Sequence, residues 1–436
     1  MQADPRRILV VEDEALIRNL LVTSLEQAGF AVHAVEDGRS ALDALERFRA
    51  ELVVLDLMMP RMHGYEVIQH LRASPRTSRL PILVMSGKPY PGDQRKAMEL
   101  GGSAFLAKPF VPSALVDLVR RTLDATRIRF WGVRGSIATP GPETIRYGGN
   151  TPCVTIEHGR DLLILDAGTG LRKLGLSLQA EAAGAPLDLL MLITHTHWDH
   201  IQGFPFFVPA FIPGNRLHIM GPPSMEKPLA KVLRGQMDPE YFPVALGELA
   251  ADVRVDEVRE PVFDIGAFRV ESHYVNHPGV TMAYRIHIGG HVITYATDTE
   301  PYRTLLDNER SAMHEELAYA ENCDRQLVEF ARGSDVYIAD SQYSPDDYRI
   351  KRGWGHTCYE DAVSLALAAE VGQLVLFSHD PMHDDDAIDR KLMRSRELVR
   401  DAGSSIEVVA AIEGETIELT ARAEARAPAL LSALRT

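Results

Sequence analysis

The most constraining feature of the chain is an apolar stretch that ends in four potential metal ligands. Residues 187–203 read LDLLMLITHTHWDHIQG, in which an aliphatic run leads into His195, His197, Asp199 and His200. Alternate residues of an extended segment point the same way, so His195 and His197 can share one ion while the following turn directs Asp199 and His200 to a second. Imidazole and carboxylate ligands suit zinc, manganese or iron. The segment therefore predicts a metal site at the end of a buried strand.

Length and charge limit the organisation and the partners of the chain. The chain has 436 residues, more than one hydrophobic core usually serves, so we expect two domains, residues 1–125 and residues 126–436. Residues 1–125 hold 16 Lys and Arg against 16 Asp and Glu, so the whole net charge of −15 lies on the second part. This charge disfavours binding of DNA or another large polyanion. The sequence also shows no helix-turn-helix pattern and no basic face.

The apolar runs and the cysteines indicate the compartment. No apolar run approaches the roughly 18 residues that a membrane-spanning helix needs. The three cysteines, Cys153, Cys323 and Cys358, are odd in number and scattered, which suits a reducing compartment without a disulfide framework. We therefore expect a cytoplasmic protein with no membrane partner.

Strand and helix patterns alternate along the first 125 residues, which predicts an α/β fold with a doubly wound parallel sheet. Polar residues follow the apolar runs, where the carboxyl ends of the strands should meet. They are Glu12, Asp13, Asp56, Ser86 and Lys108. Three carboxylates at one edge repel one another unless a cation lies among them, and Mg²⁺ is the natural candidate.

With these residues in place, residues 6–124 resemble the receiver domain of bacterial response regulators. The resemblance implies that Asp56 accepts a phosphoryl group from a cognate histidine kinase. It implies a Mg²⁺ site at Glu12, Asp13 and Asp56, phosphoryl contacts from Ser86 and Lys108, and a switch aromatic at Phe105. No Gly/Ser-rich linker follows, so we expect docked domains, in which phosphorylation changes either the domain placement or an oligomer interface. A homodimer is an open alternative.

Further metal-ligand residues follow apolar runs in the second part of the chain. Asp166 lies near the end of DLLILDAG and His277 near the end of RVESHYVNHPG. Asp298 lies near the end of HVITYATDT and His379 near the end of QLVLFSHDP. Each position fits a strand that delivers its last residues to one edge of a sheet. His273 competes with His277, but the context of His277 before Pro278 is the better match.

This order of ligands is similar to the metallo-β-lactamase superfamily over residues 130–417, which implies an αββα sandwich with two divalent ions. Zinc is the first expectation, with manganese or iron as alternatives. The resemblance assigns one ion to His195, His197, His277 and Asp298, and the other to Asp199, His200, His379 and the shared Asp298. It places Asp166 behind the ligands, where it orients them.

A glycine-rich turn, KRGWGHTCYED, supplies a candidate proton donor. It resembles a loop of ribonuclease Z and related phosphodiesterases, which implies that His356 protonates the leaving group. Asp199 is the second residue that we expect to be catalytic. The segment FWGVRGSIATPGPETIRYGGNTPCV looks like the opening of phosphoribosyl cyclic phosphodiesterase-like proteins. Asn150, Thr151 and Thr357 are candidate substrate contacts.

Three segments carry weaker expectations. Residues 222–249 lack the basic character of a tRNA clamp and are interpreted as either a lid or ordinary packing. Residues 305–332 are expected to be helical. The Ala-rich residues 421–436 are expected to form a helix or a frayed tail.

Together these features predict a two-component response regulator whose output is a binuclear metal-dependent phosphodiesterase. Its substrate would be a small phosphodiester, including a cyclic one, or a nucleotide, and phosphorylation of Asp56 would regulate it. One alternative is a lactonase or thioester hydrolase, since two ions polarise a carbonyl as readily as a phosphoryl group. Another is a di-iron sensor or oxygen-reacting module with a non-hydrolytic role.

Overall fold

The computed structural model describes residues 5–87, 91–223, 227–306 and 314–419. The first part of the chain alternates strands and helices in the order that the sequence predicts. Its elements are β1 (Arg7–Val11), α1 (Ala15–Gln27), β2 (Ala31–Val35), α2 (Gly38–Leu45), β3 (Leu52–Asp56), α3 (Gly64–Ala73), β4 (Ile82–Ser86), α4 (Pro91–Glu99), β5 (Ala104–Ala107) and α5 (Pro112–Leu123).

The five strands form one parallel sheet in the order β2-β1-β3-β4-β5. Strands β3 and β4 are buried along their whole length, because helices cover both faces of the sheet and leave no solvated side. A separate apolar cluster packs on each face, one around Leu55 and Val84 and the other around Val10 and Leu83. The expected doubly wound parallel sheet is confirmed.

The second part of the chain contains fourteen strands and eight helices in the described residues. Its first half consists of β6 (Thr126–Gly132), β7 (Cys153–His158), β8 (Asp161–Leu165), α6 (Gly170–Ala182), β9 (Asp188–Leu192), α7 (Trp198–Ile201), β10 (Arg216–Gly221), α8 (Leu229–Gly235), β11 (Asp252–Glu257), β12 (Val262–Ile265), β13 (Phe268–Tyr274) and β14 (Met282–Ile288). Its second half consists of β15 (His291–Ala296), α9 (Tyr302–Leu305), α10 (His314–Ala331), β16 (Val336–Asp340), α11 (Pro345–Lys351), α12 (Tyr359–Ala368), β17 (Gln373–Phe377), α13 (Asp385–Asp401), β18 (Glu407–Ala410) and β19 (Thr416–Leu419).

These strands form two mixed seven-stranded sheets, in the orders β11-β10-β9-β8-β7-β6-β19 and β12-β13-β14-β15-β16-β17-β18. A large apolar cluster, which includes Phe130, Leu165, Tyr295 and Phe377, lies between the sheets. Two further clusters join the outer faces to helices, one containing Leu174 of α6 and the other Ile388 of α13. The expected αββα sandwich is confirmed.

The sheet register brings several strand ends to one edge of the sandwich. Parallel strands β15, β16 and β17 end in register, with Ala296 opposite Ala339 and Asp340 opposite Phe377. In the other sheet, Leu165 of β8 lies opposite Leu192 of β9. Because the residues that follow parallel strands emerge at the same edge, the loops after all five strands converge there.

The segments with weaker expectations are partly described. Residues 222–249 contain α8 and a short 3-10 turn at Leu246–Glu248, and the expected helix over residues 305–332 is α10 from His314 onward. Residues 421–436 and residues 307–313 lie outside the described part of the chain. No helix within the described ranges has the length and apolarity needed to span a membrane.

Candidate functional sites

One carboxylate oxygen, Oδ2 of Asp298, is the centre of a cluster of imidazole nitrogens. The Nε2 atom of His200 lies 3.2 Å from this oxygen, and Nε2 of His195 lies 3.6 Å from it. The Nε2 atoms of His277 and His356 lie at 3.9 Å and 4.0 Å. Four imidazoles from distant parts of the sequence therefore face one buried carboxylate.

His197 completes the cluster on its open side. Its Nδ1 lies 3.1 Å from Nε2 of His195 and 2.9 Å from Nε2 of His277. The ligand atoms of these three residues lie within 4.8 Å of one another, as do those of His195, His200 and Asp298. His197 is exposed, whereas the other two members of its group are buried. The site is thus open to solvent at His197.

Each buried imidazole is held from behind by a second polar group. Nδ1 of His195 contacts the hydroxyl of Thr194 at 3.1 Å, and Nδ1 of His277 contacts the carbonyl oxygen of Gly355 at 2.7 Å. Nδ1 of His200 lies 2.9 Å from Oδ2 of Asp166. Such contacts fix the orientation of a ring and leave its other nitrogen directed into the site.

The electrostatics of the cluster fit metal ligands. Burial lowers the pKa of His195 and His277 below the ordinary histidine value, and partial desolvation by the surrounding residues together with the neighbouring His277 lowers that of the more exposed His197. These rings are therefore neutral at pH 7 and carry free lone pairs. Burial also disfavours charge on His200, but the carboxylates of Asp298, Asp199 and Asp166 outweigh it and raise its pKa well above the ordinary value. A positive charge is therefore stabilised at this point, and a cation can supply it as well as a proton.

His356 lies beside the cluster and forms a pair with Asp340. Nδ1 of His356 lies 2.9 Å from Oδ2 of Asp340, which leaves Nε2 on the side of Asp298. Burial alone would lower the pKa of His356, but the carboxylates of Asp340 and Asp298 outweigh it and raise the pKa to about 9. The ring is therefore protonated at neutral pH and can donate a proton at Nε2.

Backbone strain accumulates around the same site. Four non-glycine residues in or beside it have φ values between 51° and 66°, namely Ser136, Asp166, Asp298 and Ser378. Such conformations cost about 1–3 kcal/mol each and persist where the surrounding structure imposes them, commonly at functional sites. Gly355 is also restricted to its residue type by the local structure. It has a φ of 85°, and a Cβ there would lie 2.3 Å from Pro278 Cδ and 2.4 Å from His277 Nδ1.

The two remaining predicted ligands are placed differently from each other. Oδ2 of Asp199 lies 3.4 Å from Nε2 of His200 and accepts a hydrogen bond from the backbone N–H of Ser136 at 2.7 Å. His379 belongs to none of the clusters of ligand atoms found among the described residues. Its Nε2 lies 3.0 Å from the carbonyl oxygen of Ala411, and its Nδ1 is buried without a hydrogen-bond partner. His379 as the seventh ligand stays a prediction that rests on this unpaired Nδ1.

The candidate substrate contacts lie within internal networks. The backbone N–H and side-chain amide of Asn150 donate to the carboxylate of Glu413, at 3.2 Å and 2.8 Å. The hydroxyl of the fully buried Thr151 accepts from the backbone N–H of Thr169 at 2.8 Å. The polar groups of these two residues are thus engaged inside the protein. Thr357 is also buried, but its hydroxyl has no hydrogen-bond partner.

Sequence reasoning missed Asp340, the partner of His356. Asp340 is the last residue of β16, whose sequence VYIAD is buried throughout. An apolar run that ends in Asp is the signal that identified Asp166 and Asp298, and it would have identified Asp340. The roles of Thr194 and Tyr295, which both donate to the Asp166 carboxylate, have no comparable signal in the sequence.

A second cluster of acidic side chains lies at the carboxyl ends of β1 and β3. Oxygens of Glu12, Asp13 and Asp56 lie within 4.8 Å of one another. The Nζ atom of Lys108 lies 2.6 Å from Oε2 of Glu12 and 2.9 Å from Oδ1 of Asp56. Burial, reinforced by the charge of Asp56, raises the pKa of Glu12, although the hydrogen bond from Lys108 opposes this shift. A divalent cation fits this donor set.

Ser86 and Phe105 lie on β4 and β5, the two strands that follow β3 in the sheet. Ser86 ends β4 and is buried, in register with Ala107 at the end of β5. Phe105 is half-buried and packs against the apolar cluster around Leu55 and Val84. Glu12, Asp13, Asp56, Ser86 and Lys108 thus end or follow strands at one edge of the five-stranded sheet, whereas Phe105 lies within β5 opposite Val84.

Comparison with known families agrees with both parts of the chain. Residues 8–120 match the family described as response regulator receiver domain, and residues 162–379 match the family described as beta-lactamase superfamily domain. Response regulator MprA of Mycolicibacterium vanbaalenii is 38% identical over 122 residues, which are 28% of this chain and 52% of MprA. The chain spans about half the length of the curated relatives that it matches.

Two solved structures align with the larger part of the chain. The metallo-beta-lactamase fold protein YhfI from Bacillus subtilis is 19% identical, with a TM-score of 0.44, and the alignment covers 68% of this chain and 99% of YhfI. A diphosphatase from the PhnP family is 16% identical, with the same TM-score of 0.44, and the alignment covers 68% of this chain and 98% of that protein.

Proposed function

Because this chain belongs to the beta-lactamase superfamily over residues 162–379 and carries a response regulator receiver domain over residues 8–120, we propose that it is a two-component response regulator with an enzymatic output. The output is a binuclear metal-dependent phosphodiesterase that acts on a small phosphodiester, including a cyclic one, or on a nucleotide. We place the boundary between the two domains at residues 125 and 126. Phosphorylation of Asp56 regulates the enzyme.

The proposed metal centre uses the residues that face Asp298. His195, His197 and His277 would hold one ion, and Asp199, His200 and His379 would hold the other. Asp298 would serve both, because its Oδ2 faces imidazoles of both sets. Zinc suits these imidazole and carboxylate ligands best, with manganese or iron as alternatives. When bound, divalent cations lower the pKa of a water molecule and offset negative charge that develops on a phosphoryl group.

The observation that carries the phosphodiesterase assignment is the His356–Asp340 pair at the edge of the cluster. Departure of an alkoxide from phosphorus requires a proton at the leaving oxygen, whereas a thioester releases a thiolate that leaves readily, so the pair favours a phosphodiester over a thioester. Asp340 holds His356 by Nδ1 and keeps the ring protonated, so that Nε2 can deliver that proton. Asp199 and Asp166 position the imidazoles that the reaction uses.

A small substrate agrees with the charge of the second domain. The net charge of −15 lies on residues 126–436, which repels a long polyanion at distance but has little effect on a small phosphoester that enters beside bound cations. DNA is therefore not an expected partner.

In the receiver domain, Glu12, Asp13 and Asp56 hold Mg²⁺, and Asp56 is the phosphoacceptor for a histidine kinase. Ser86 and Lys108 contact the phosphoryl oxygens, and Phe105 changes its packing in response. Lys108 already bridges Glu12 and Asp56, so a phosphoryl group on Asp56 would recruit the same ammonium group.

The test is turnover of bis(p-nitrophenyl) phosphate by the purified full-length protein loaded with Zn²⁺ or Mn²⁺. We expect release of p-nitrophenol by the wild type and none by His197→Ala. The matched control is His273→Ala, because His273 is a half-buried histidine that stacks on Phe330 and lies outside the cluster. No turnover by protein that contains two ions would refute the proposed reaction.

The same preparations separate the alternatives. Hydrolysis of lactones or thioesters without phosphodiester turnover would identify the other hydrolase class. Two iron atoms in the native protein, together with an optical absorption band and no hydrolysis, would identify the di-iron module.

A further inference from the structure

A cavity at the junction of the two domains lies far from both sites described above. It has a volume of about 210 Å³ and is lined by both domains. The receiver side is formed by residues at the amino ends of its strands and their preceding loops, such as Arg6 before β1 and Glu51 before β3. Asp56 lies at the opposite end of β3, roughly 16 Å away at about 3.3 Å per residue. The cavity is therefore separate from the phosphorylation site.

Arginine dominates the lining of this cavity. It contains six arginines and three glutamates, an excess of three positive charges in a chain whose net charge is −15. The arginines are Arg6, Arg49, Arg76, Arg79, Arg127 and Arg160, and the glutamates are Glu51, Glu157 and Glu181. Four of the arginines belong to the receiver domain and two to the second domain.

The ion pairs of the lining are shared rather than formed one to one. Glu51 forms ion pairs with both Arg6, at 2.8 Å, and Arg160, at 2.6 Å. Arg79 lies 3.2 Å from Glu157 and 3.5 Å from Glu181, and this contact joins the two domains. These ion pairs tie the domains together. Arg127 is paired with Glu418, outside the lining, at 2.9 Å, so the uncompensated positive charge of the cavity is that of Arg49 and Arg76.

Arg49 and Arg76 carry most of this excess. Arg49 donates to the carbonyl oxygen of Ala183, and Arg76 donates to the carbonyl oxygen of Glu46, both at 2.9 Å. Among the described residues, no carboxylate lies within 4.0 Å of either guanidinium group. Their remaining N–H donors are available to an anion.

Two further arginines, Arg72 and Arg129, lie close enough to the lining arginines to be repelled by them. Burial, together with the positive charges of Arg129 and Arg127, lowers the pKa of Arg72 to about 10. Burial also lowers the pKa of Arg129, with Arg79 and Arg127 contributing in the same direction. An anion in the cavity would reduce this mutual repulsion.

The rest of the lining is apolar. Leu45, Phe48, Leu80 and Leu123 contribute side chains to the same cavity, and Phe48 is half-buried. Guanidinium groups bind phosphate oxygens in pairs, and an aromatic ring with leucines provides a surface for a planar or apolar group.

We propose that this cavity is a binding site for a small organic phosphate with adjacent phosphate groups, which contacts both domains at once. Arg49 and Arg76 bind its phosphates from the receiver side, and Arg127 and Arg160 lie on the opposite wall. A ligand that contacts both walls binds only the docked arrangement, so it stabilises that arrangement by mass action. The site would make domain docking sensitive to a metabolite, independently of Asp56.

The experiment is isothermal titration calorimetry of the full-length protein with inorganic pyrophosphate and with adenosine diphosphate at physiological salt. We expect one site per chain, and tighter binding of adenosine diphosphate if the apolar wall contacts its base. Replacing both Arg49→Ala and Arg76→Ala should weaken binding about tenfold or more, because charge-assisted hydrogen bonds are lost. Glu51→Gln should tighten binding, since it releases two arginines to the ligand.

Two controls make the result specific. The double variant Arg39→Ala, Arg390→Ala removes two charges from side chains that are 78% and 67% exposed and should bind as the wild type does. His197→Ala, which alters the metal centre, should also retain binding. If the Arg49/Arg76 double variant does not fold, Arg49→Ala alone, an exposed position, gives the same comparison. Absence of binding, equal binding by the arginine variants, or loss of binding in His197→Ala would overturn the proposal.

Discussion

The two domains each place a cluster of polar side chains where parallel strands end, but the negative charge of the carboxylates is balanced differently in the two clusters. In the receiver domain three carboxylates share one lysine, Lys108, which contacts two of them directly. In the second domain the cluster around Asp298 consists mainly of neutral imidazoles, each buried ring held from behind. The exposed members are Asp13 in the acidic cluster and His197 in the group that it forms with His195 and His277.

This difference matches what each site is proposed to do. A crowded carboxylate site is balanced by a cation and can accept and lose a charged phosphoryl group with small movements of one lysine. A site of neutral, oriented imidazoles binds cations tightly and stays loaded, because each buried ring already has a fixed orientation before the ion arrives. Changes in the second domain should therefore abolish chemistry, whereas changes in the receiver domain should alter only its regulation.

The largest effect is expected from Asp298→Asn, which removes the oxygen charge that four imidazoles face. We expect loss of both ions and of all turnover, measured by metal analysis and by release of p-nitrophenol. Asp264→Asn, an exposed carboxylate in β12, should keep its metal and its activity. Retention of two ions by Asp298→Asn would show that this carboxylate does not serve both metals.

His356→Ala should lower phosphodiester turnover by about 10²–10⁴-fold, as expected for loss of a general acid. The metal content should not change if His356 donates a proton rather than binding an ion. The loss should be smaller for bis(p-nitrophenyl) phosphate than for a cyclic nucleotide, since p-nitrophenolate leaves without protonation. Equal losses for the two substrates, or loss of an ion, would remove His356 from the role of proton donor.

Asp340→Asn should have a smaller effect with a characteristic pH dependence. The Asp340 carboxylate raises the pKa of His356, so its removal lowers that pKa and the ring loses its proton at lower pH. The alkaline limb of the kcat profile should therefore move to lower pH, while activity on the acidic side of the shifted limb is retained. An unchanged alkaline limb would show that Asp340 acts only in folding. Thermal unfolding of the variant measures any loss of stability separately from the change in the pH profile.

The smallest effect on basal activity is expected from Asp56→Asn. Because Asp56 lies outside the second domain, turnover without a phosphodonor and metal content should match the wild type. The response of turnover to acetyl phosphate should be lost, and it should be retained in Asp43→Asn, an exposed carboxylate on α2. A response to acetyl phosphate that survives in Asp56→Asn would place the phosphoacceptor elsewhere.

The placement of the junction adds a constraint on this regulation. The second domain contacts the amino ends of the receiver strands, through pairs such as Arg79 with Glu157, whereas Asp56 lies at their carboxyl ends. A signal from Asp56 therefore has to cross the sheet, or it has to act through the outer face of the receiver and a second copy of the chain.

Much of the fold and most of the site could be predicted from the sequence because they depend on local patterns. The alternation of apolar runs with amphipathic helices determined the parallel sheet, and an apolar run that ends in a ligand residue identified Asp166, Asp298 and the cluster from His195 to His200. Strand ends at one edge of a sheet are neighbours whatever lies between them in sequence, so these residues could be grouped without coordinates.

Only the tertiary structure decided which of these side chains face one another and what holds them. The pairing of His356 with Asp340, the internal hydrogen bonds of Asn150, the direction of His379 toward Ala411 and the gathering of arginines at the junction all join residues from separate elements. Sequence patterns report the period and the ends of an element, but the rotation of a side chain and its partner depend on packing between distant segments. The sequence thus determined which residue types are available as metal ligands and at which edge of the sheets they lie. The three-dimensional packing determined which of these side chains contact one another.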